Sequence, residues 1–117
     1  DEIVTEIQVP APADATRSSF EKFALRKSID FAIVNCAASV TLSGRQVAAA
    51  RICLNAVRIK PYRSMDAEES IVGKDLTEEN AEAAGAAAVS SARPMTHNAY
   101  MIQIARTLVK RALLACG

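Results

Sequence analysis

The sequence predicts an α+β fold, an antiparallel sheet of three to four strands with three helices packed on one face. Extended apolar runs and a glycine turn fill the chain before Pro61, while helical periodicity and capping residues fill it after Arg63. Half of the 117 residues are hydrophobic, enough for one core without metal or disulfide staples, so a single domain spanning 1–117 is expected.

From Glu2 to Val9 the apolar Ile3, Ile7 and Val9 alternate around Thr5, with Val4 breaking the polar face, which predicts a short strand. Pro10 to Ser18 has the Pro, Asp and Ser content of a surface connection. Ser19 to Ala24 reads as a brief extended piece, followed by a charged turn of Arg26, Lys27, Ser28, Ile29 and Asp30. From Phe31 to Thr41 the even positions, Ala32, Val34, Cys36, Ala38 and Val40, continue to Leu42 and are uniformly apolar. The odd positions, among them Asn35, Ser39 and Thr41, are mixed, as in a strand covered well on one side and partly on the other. Ser43-Gly44-Arg45 is a hairpin signal, because glycine tolerates the positive φ of tight turns between twisted strands. The second arm runs from Gln46 to Lys60, with Ile52, Leu54 and Ala56 on one face and Cys53, Val57 and Ile59 on the other. Pro61 ends it, since proline cannot donate to the ladder.

Asp66 to Val72 predicts a short helix stopped by Gly73. Thr77 is placed to cap the next helix, with Glu78 and Glu79 at its positive end. That helix, running to about Ala92, has an inner face of Ala81, Ala84, Gly85 and Ala88, which requires a very close support. After Pro94, Met101, Ile104, Ala105, Leu108, Val109, Ala112 and Leu113 form an amphipathic stripe opposite Gln103, Arg106, Lys110 and Arg111.

A formal charge of +1 gives no field to draw the chain onto nucleic acid or an anionic membrane, and two Tyr, three Phe and no Trp make no stacking platform. Cys36, Cys53 and Cys116 lack metal or redox spacing and read as reduced thiols in a core, pointing to a cytoplasmic setting. No apolar run reaches the ~20 residues of a membrane span. A start at Asp1 in place of Met leads us to expect a processed or excised piece of a longer polypeptide.

Few residues offer chemistry on their own. His97, the single histidine, precedes a helix, where capping is its expected job. The pairs Glu68-Glu69 and Glu78-Glu79 point in different directions on a helix and read as solvated faces. Four scattered glycines make no phosphate-cradling loop, and no nucleophile motif occurs. Lys22, Arg26, Lys27 and Asp30 crowd together before the apolar strand, and by spacing alone they form a solvated turn with an Arg26–Asp30 ion pair.

At these residues the chain resembles the C-terminal domain of the FAD-binding (medium) subunit of molybdenum hydroxylases, the xanthine dehydrogenase and carbon monoxide dehydrogenase flavoprotein family. The start Glu2-Ile3-Val4-Thr5-Glu6-Ile7-Gln8-Val9-Pro10, the Lys22, Arg26, Asp30 spacing before a small-residue strand, and the series Pro61, Arg63, Glu68, Gly73 carry the resemblance in order. It implies residues 1–10 as a connecting strand from a missing upstream FAD-binding domain and 18–115 as the C-terminal flavoprotein domain. It also implies FAD contacts from the Val4 backbone and from Lys22, whose charge would favour the anionic reduced flavin, with Arg26 and Asp30 supporting the loop. Partner subunits would carry the molybdenum-pterin and 2Fe-2S groups and oxidise the substrate, and electrons would end on an acceptor such as NAD. In relatives an arginine often follows the tyrosine of the last helix, whereas Met101 follows Tyr100 here, and the segment Pro94 to Tyr100 looks more like the xanthine dehydrogenase branch. The reading from a different class is a non-enzymatic α+β module that binds a protein through its sheet face or last helix.

Overall fold

A computed structural model describes residues 2–27 and 29–117; Asp1 and Ser28, the latter in the expected charged turn, lie outside the described residues. Four antiparallel strands lie side by side in chain order: β1 (Thr16–Phe23), β2 (Val34–Ser43), β3 (Gln46–Asn55) and β4 (Tyr62–Arg63). Three helices follow, α1 (Met65–Ile71), α2 (Glu78–Ala88) and α3 (Tyr100–Leu114). Helices α1 and α3 cover one face of the sheet, and α2 packs against both of them. The expected architecture is therefore the observed one, with its core between sheet and helices.

The alternation of β2 builds that core. Val34, Cys36, Ala38 and Val40 are all buried under α3, while Asn35, Ala37, Ser39 and Thr41 face the uncovered side. Gly44, at φ 64, and Arg45 turn the chain into β3. The ladder then slips: Thr41 pairs with Ala49 but Leu42 with Val47, leaving Ala48 as a bulge. That extra residue switches parity, so Val47 and Ala50 both reach the core together with Ile52 and Leu54.

Several expected boundaries move, among them the start of β2, at Val34 and not Phe31, and the end of α2, at Ala88 and not near Ala92. Among the described residues Glu2 to Val9 pairs with no strand, and Ile3, Val4, Ile7 and Val9 stay exposed, because alternation alone makes no ladder without a partner strand. β1 starts at Thr16, within the expected connection, because its polar residues lie along β2 and Ser19 Oγ donates to the Ala112 carbonyl at 2.6 Å. β3 ends at Asn55, since Ala56 takes φ 65 and turns the chain out of the sheet, and Tyr62 and Arg63 return as the unexpected β4.

Glu68 holds the β3 edge that the two-residue β4 leaves open. Read from sequence as part of a solvated face, it is only 5% exposed. Its Oε1 accepts the Ile52 N–H at 2.9 Å, standing in for a strand carbonyl, and the Ser64 N–H donates to the Ile52 carbonyl at 2.9 Å. Arg63 donates to both carboxylate oxygens, at 2.8 and 2.7 Å. The arginine holds the Glu68 carboxyl below its usual range, against the opposing effect of burial.

The alanine face of α2 is buried as expected, and Thr77 caps the helix by accepting the Asn80 N–H. Its neighbour is α3: a Cβ on Gly85 would stand 2.5 Å from the Arg106 carbonyl oxygen. Arg106 and Lys110, expected on a solvated side, cross to α2 and pair with Glu82 and Glu78. Cys36 and Cys116 are buried, and burial pushes the Cys36 thiol up to about 12; Cys53 instead sits half-buried on the uncovered face. Among the described residues no helix is long and apolar enough to cross a membrane.

Gly85→Ala will destabilise the fold by about 1–3 kcal/mol through overpacking, although alanine is the better helix former. Urea unfolding of the two proteins measures it, and an equal or higher midpoint in the variant would show that the helices can part freely. Acid will expose the Glu68 contribution. Its folded pKa lies below the ordinary 4.5, so the stabilisation is complete above 4.5 and is lost as pH falls through the lower folded value. Glu68→Gln will flatten that acid limb, and Glu68→Ala will cost about 2–4 kcal/mol at neutral pH, read from the same unfolding curves.

Candidate functional site

Residues of neighbouring strands that pair in register share a face, and this places three polar side chains in one row. Lys22 of β1 pairs with Asn35 of β2, and Asn35 pairs with Asn55 of β3. Since Val34, Cys36 and Leu54 point into the core, the row lies on the uncovered face, at the sheet end where β1 and β3 finish and β2 begins. The next row on that face is Phe20, Ala37 and Cys53: a floor of small residues beside one aromatic ring, 62% exposed. Among the described residues neither Asn35 nor Asn55 spends its side-chain amide on a hydrogen bond within the chain. Each therefore keeps one acceptor and two donor positions.

A cinched loop borders the row. Phe23 accepts the Ile33 N–H at 2.8 Å, closing its base. Arg26 reaches both Asp30 oxygens, at 3.1 and 3.0 Å, Asp30 Oδ1 accepts the Phe31 N–H at 3.0 Å, and the Lys22 ammonium donates to the Asp30 carbonyl. The Arg26 guanidinium holds the Asp30 carboxyl below its ordinary range. An exposed pair of this kind adds little to stability, so its effect is on loop shape. Held this way, the loop turns Leu25 (82% exposed), Ile29 and Phe31 (95% exposed) toward solvent. Large apolar side chains grouped beside the row mark a surface made to be covered.

The structure thus brings Lys22, Arg26 and Asp30 together as the sequence led us to expect. Val4 stands apart, 82% exposed in the segment before the sheet, and no hydrogen bond among the described residues links it to the Lys22 loop. His97 is exposed and caps nothing: the α3 N-cap position is Ala99, and the turn before it is held by Asn98, whose Oδ1 accepts the Met95 N–H. Sequence reasoning missed Asn35 and Asn55. Asn35 was visible as the polar break in the odd face of β2, but its pairing with Lys22 depends on a loop length that no local pattern encodes. No group of three or more His, Cys, Asp or Glu among the described residues could hold a metal ion.

The sequence pattern described as "CO dehydrogenase flavoprotein C-terminal domain" matches residues 18–116. The carbon monoxide dehydrogenase medium chain of Hydrogenophaga pseudoflava is 36% identical over 118 residues, covering 97% of this chain and 41% of that one. The glyceraldehyde dehydrogenase medium chain of Sulfolobus acidocaldarius is 30% identical over 78 residues, covering 67% and 27%. Among solved structures, carbon monoxide dehydrogenase from Hydrogenophaga pseudoflava lacking the Mo-pyranopterin moiety superposes with a TM-score of 0.84, at 36% identity, over 92% of this chain and 39% of the other. Quinoline 2-oxidoreductase from Pseudomonas putida 86 does so with a TM-score of 0.79, at 29% identity, over 90% and 38%. The chain therefore spans about two-fifths of the carbon monoxide dehydrogenase medium chain.

Breaking the loop clasp should act locally. In Asp30→Ala, amide exchange at Phe31 and Ile33 will quicken while the global unfolding midpoint barely moves, measured by hydrogen exchange and thermal unfolding. Unchanged exchange at Phe31 would mean that the Arg26–Asp30 pair does not hold the loop.

Proposed function

Since this chain belongs to the CO dehydrogenase flavoprotein C-terminal domain family, we propose that it completes the FAD-binding medium subunit of a molybdenum hydroxylase, with the Lys22 end of its uncovered sheet face turned to the flavin. One observation carries this reading: a cation and two free amides in register, bordered by an apolar loop and a small-residue floor. A flat heterocycle with a polar edge needs that combination, and so does a second protein body that must exclude water around it.

The residues present fit such a group at one edge. Lys22 would hold a fixed positive charge there, Asn35 and Asn55 would offer donors and acceptors, and Phe20 with Ala37 would face the ring. Arg26 and Asp30 keep the loop in shape, and Val4 would contribute its backbone from the connecting segment, residues 1–10. When bound, FAD supplies reversible electron storage. The exposed Leu25, Ile29 and Phe31 support contact with an upstream FAD-binding domain of the same subunit.

The wider assembly belongs to the same proposal. Molybdenum-pterin and 2Fe-2S groups sit on separate subunits, where the substrate is oxidised, and the acceptor is one such as NAD. The surface segment Pro94 to Tyr100 supports a xanthine dehydrogenase-like branch, and the reduced cysteines a cytoplasmic setting.

The full-length subunit, with its upstream part, provides the test. Lys22→Ala will make the flavin potential more negative, by about 30 mV if the charge is worth a factor of ten in a two-electron couple. Asn35→Asp, which adds a negative charge to the row, will shift it in the same direction. Spectroelectrochemistry reads both. If Lys22→Ala leaves flavin content and potential untouched, Lys22 has no place at the flavin.

A further inference from the structure

On the helix side of the same sheet end lies a half-open cleft of about 490 Å³, between the end of β3 and the α2–α3 connection. Leu54, Val57, Met101, Ile102 and Ala105 give it apolar walls. Arg58 and Arg93 supply its charge, and among the described residues no carboxylate lines it. Neither arginine has an acidic partner among the described residues, although most other arginines of the chain do. The Arg58 guanidinium is laid over the Tyr62 ring, 4.3 Å from its centroid, which fixes it at one wall while its N–H edge stays free.

The backbone is bent to build this wall. Ala56, an alanine at φ 65, sends Val57 and Arg58 around the strand end into the cleft. Positive φ costs a residue with a side chain free energy, and such outliers gather at ligand sites. The cleft volume lies in the range of small-molecule sites and is too small for a helix or a strand pair.

We propose that this cleft binds a small anion with an apolar body, an aromatic or branched carboxylate, at a site separate from the flavin edge. The apolar part lies against Leu54, Met101 and Ala105, and the carboxylate meets the guanidinium forks of Arg58 and Arg93. The site stands whether or not Lys22 touches flavin, because the two use different faces of the sheet.

Calorimetric titration of the full-length subunit with 1-naphthoate, and with uncharged 1-naphthamide, tests it. Naphthoate will bind saturably, one per subunit, and naphthamide at least tenfold more weakly. Arg58→Ala combined with Arg93→Ala, both exposed positions, will weaken naphthoate about tenfold and leave naphthamide and flavin content unchanged. Ala92→Trp, which fills the cleft, will abolish binding of both; should it fail to fold, the arginine pair still decides. Equal affinity for the two probes, indifference to the arginine changes, or no saturable binding because the rest of the subunit covers the cleft would each overturn the proposal. An unsubstituted subunit that binds naphthoate as expected but holds no flavin would count against the proposed function and not against this site.

Discussion

Everything at the candidate site depends on β2 having only one face to give to the core. Val34, Cys36, Ala38 and Val40 are sealed beneath α3, and a slip of one residue would turn all four toward water. That cost fixes the register of both neighbours of β2. The row of Lys22, Asn35 and Asn55 is thus a by-product of apolar burial on the opposite side of the same strands. The polar row on the uncovered face is positioned by packing on the covered one.

The helical layer shows the same economy of contact. A side of alanines and one glycine lets α2 approach α3 until the Gly85 Cα has no room for a methyl group against the Arg106 carbonyl. Salt bridges from Arg106 and Lys110 then span the exposed rim of that contact. At the other edge of the sheet a side chain replaces backbone. Glu68 satisfies the Ile52 N–H that a longer β4 would have bonded, and Arg63 neutralises the carboxylate so that it can stay buried. The series Pro61, Arg63, Glu68 is in this light a device for ending a sheet.

The legible features were those carried by local pattern. The alternation in β2, the Gly44 turn, the Thr77 cap and the α3 stripe each name their own structure within a few residues. What stayed hidden depends on distant partners. The first residues of β1, Thr16 to Ser18, are polar enough to read as a connection, and only the ladder with β2 makes them strand. The bulge at Ala48 reverses the parity of β3 without any mark in its composition. Glu68 and Glu69 look alike in sequence, yet one is buried and the other exposed, because a helix turns adjacent residues apart and the sheet edge lies on one side only. At the candidate site, the crowding of Lys22, Arg26 and Asp30 was legible in their spacing, the role proposed for them came from family resemblance, and the two asparagines needed the register.

The strands lie in the order in which they are made, so the sheet can assemble from neighbouring hairpins soon after each is synthesised. The core cannot. Its roof is α3, which bonds through the Ala112 carbonyl to Ser19, 93 residues earlier, and Cys116 is buried beside the carbonyl of Ala38. Until residue 116 has cleared the ribosome, the inner face of β1 and β2 has no lid, and Val34 and Val40 wait exposed to solvent. The hairpins are early and the domain is late, so during translation this stretch of polypeptide passes through an interval as an open, sticky sheet.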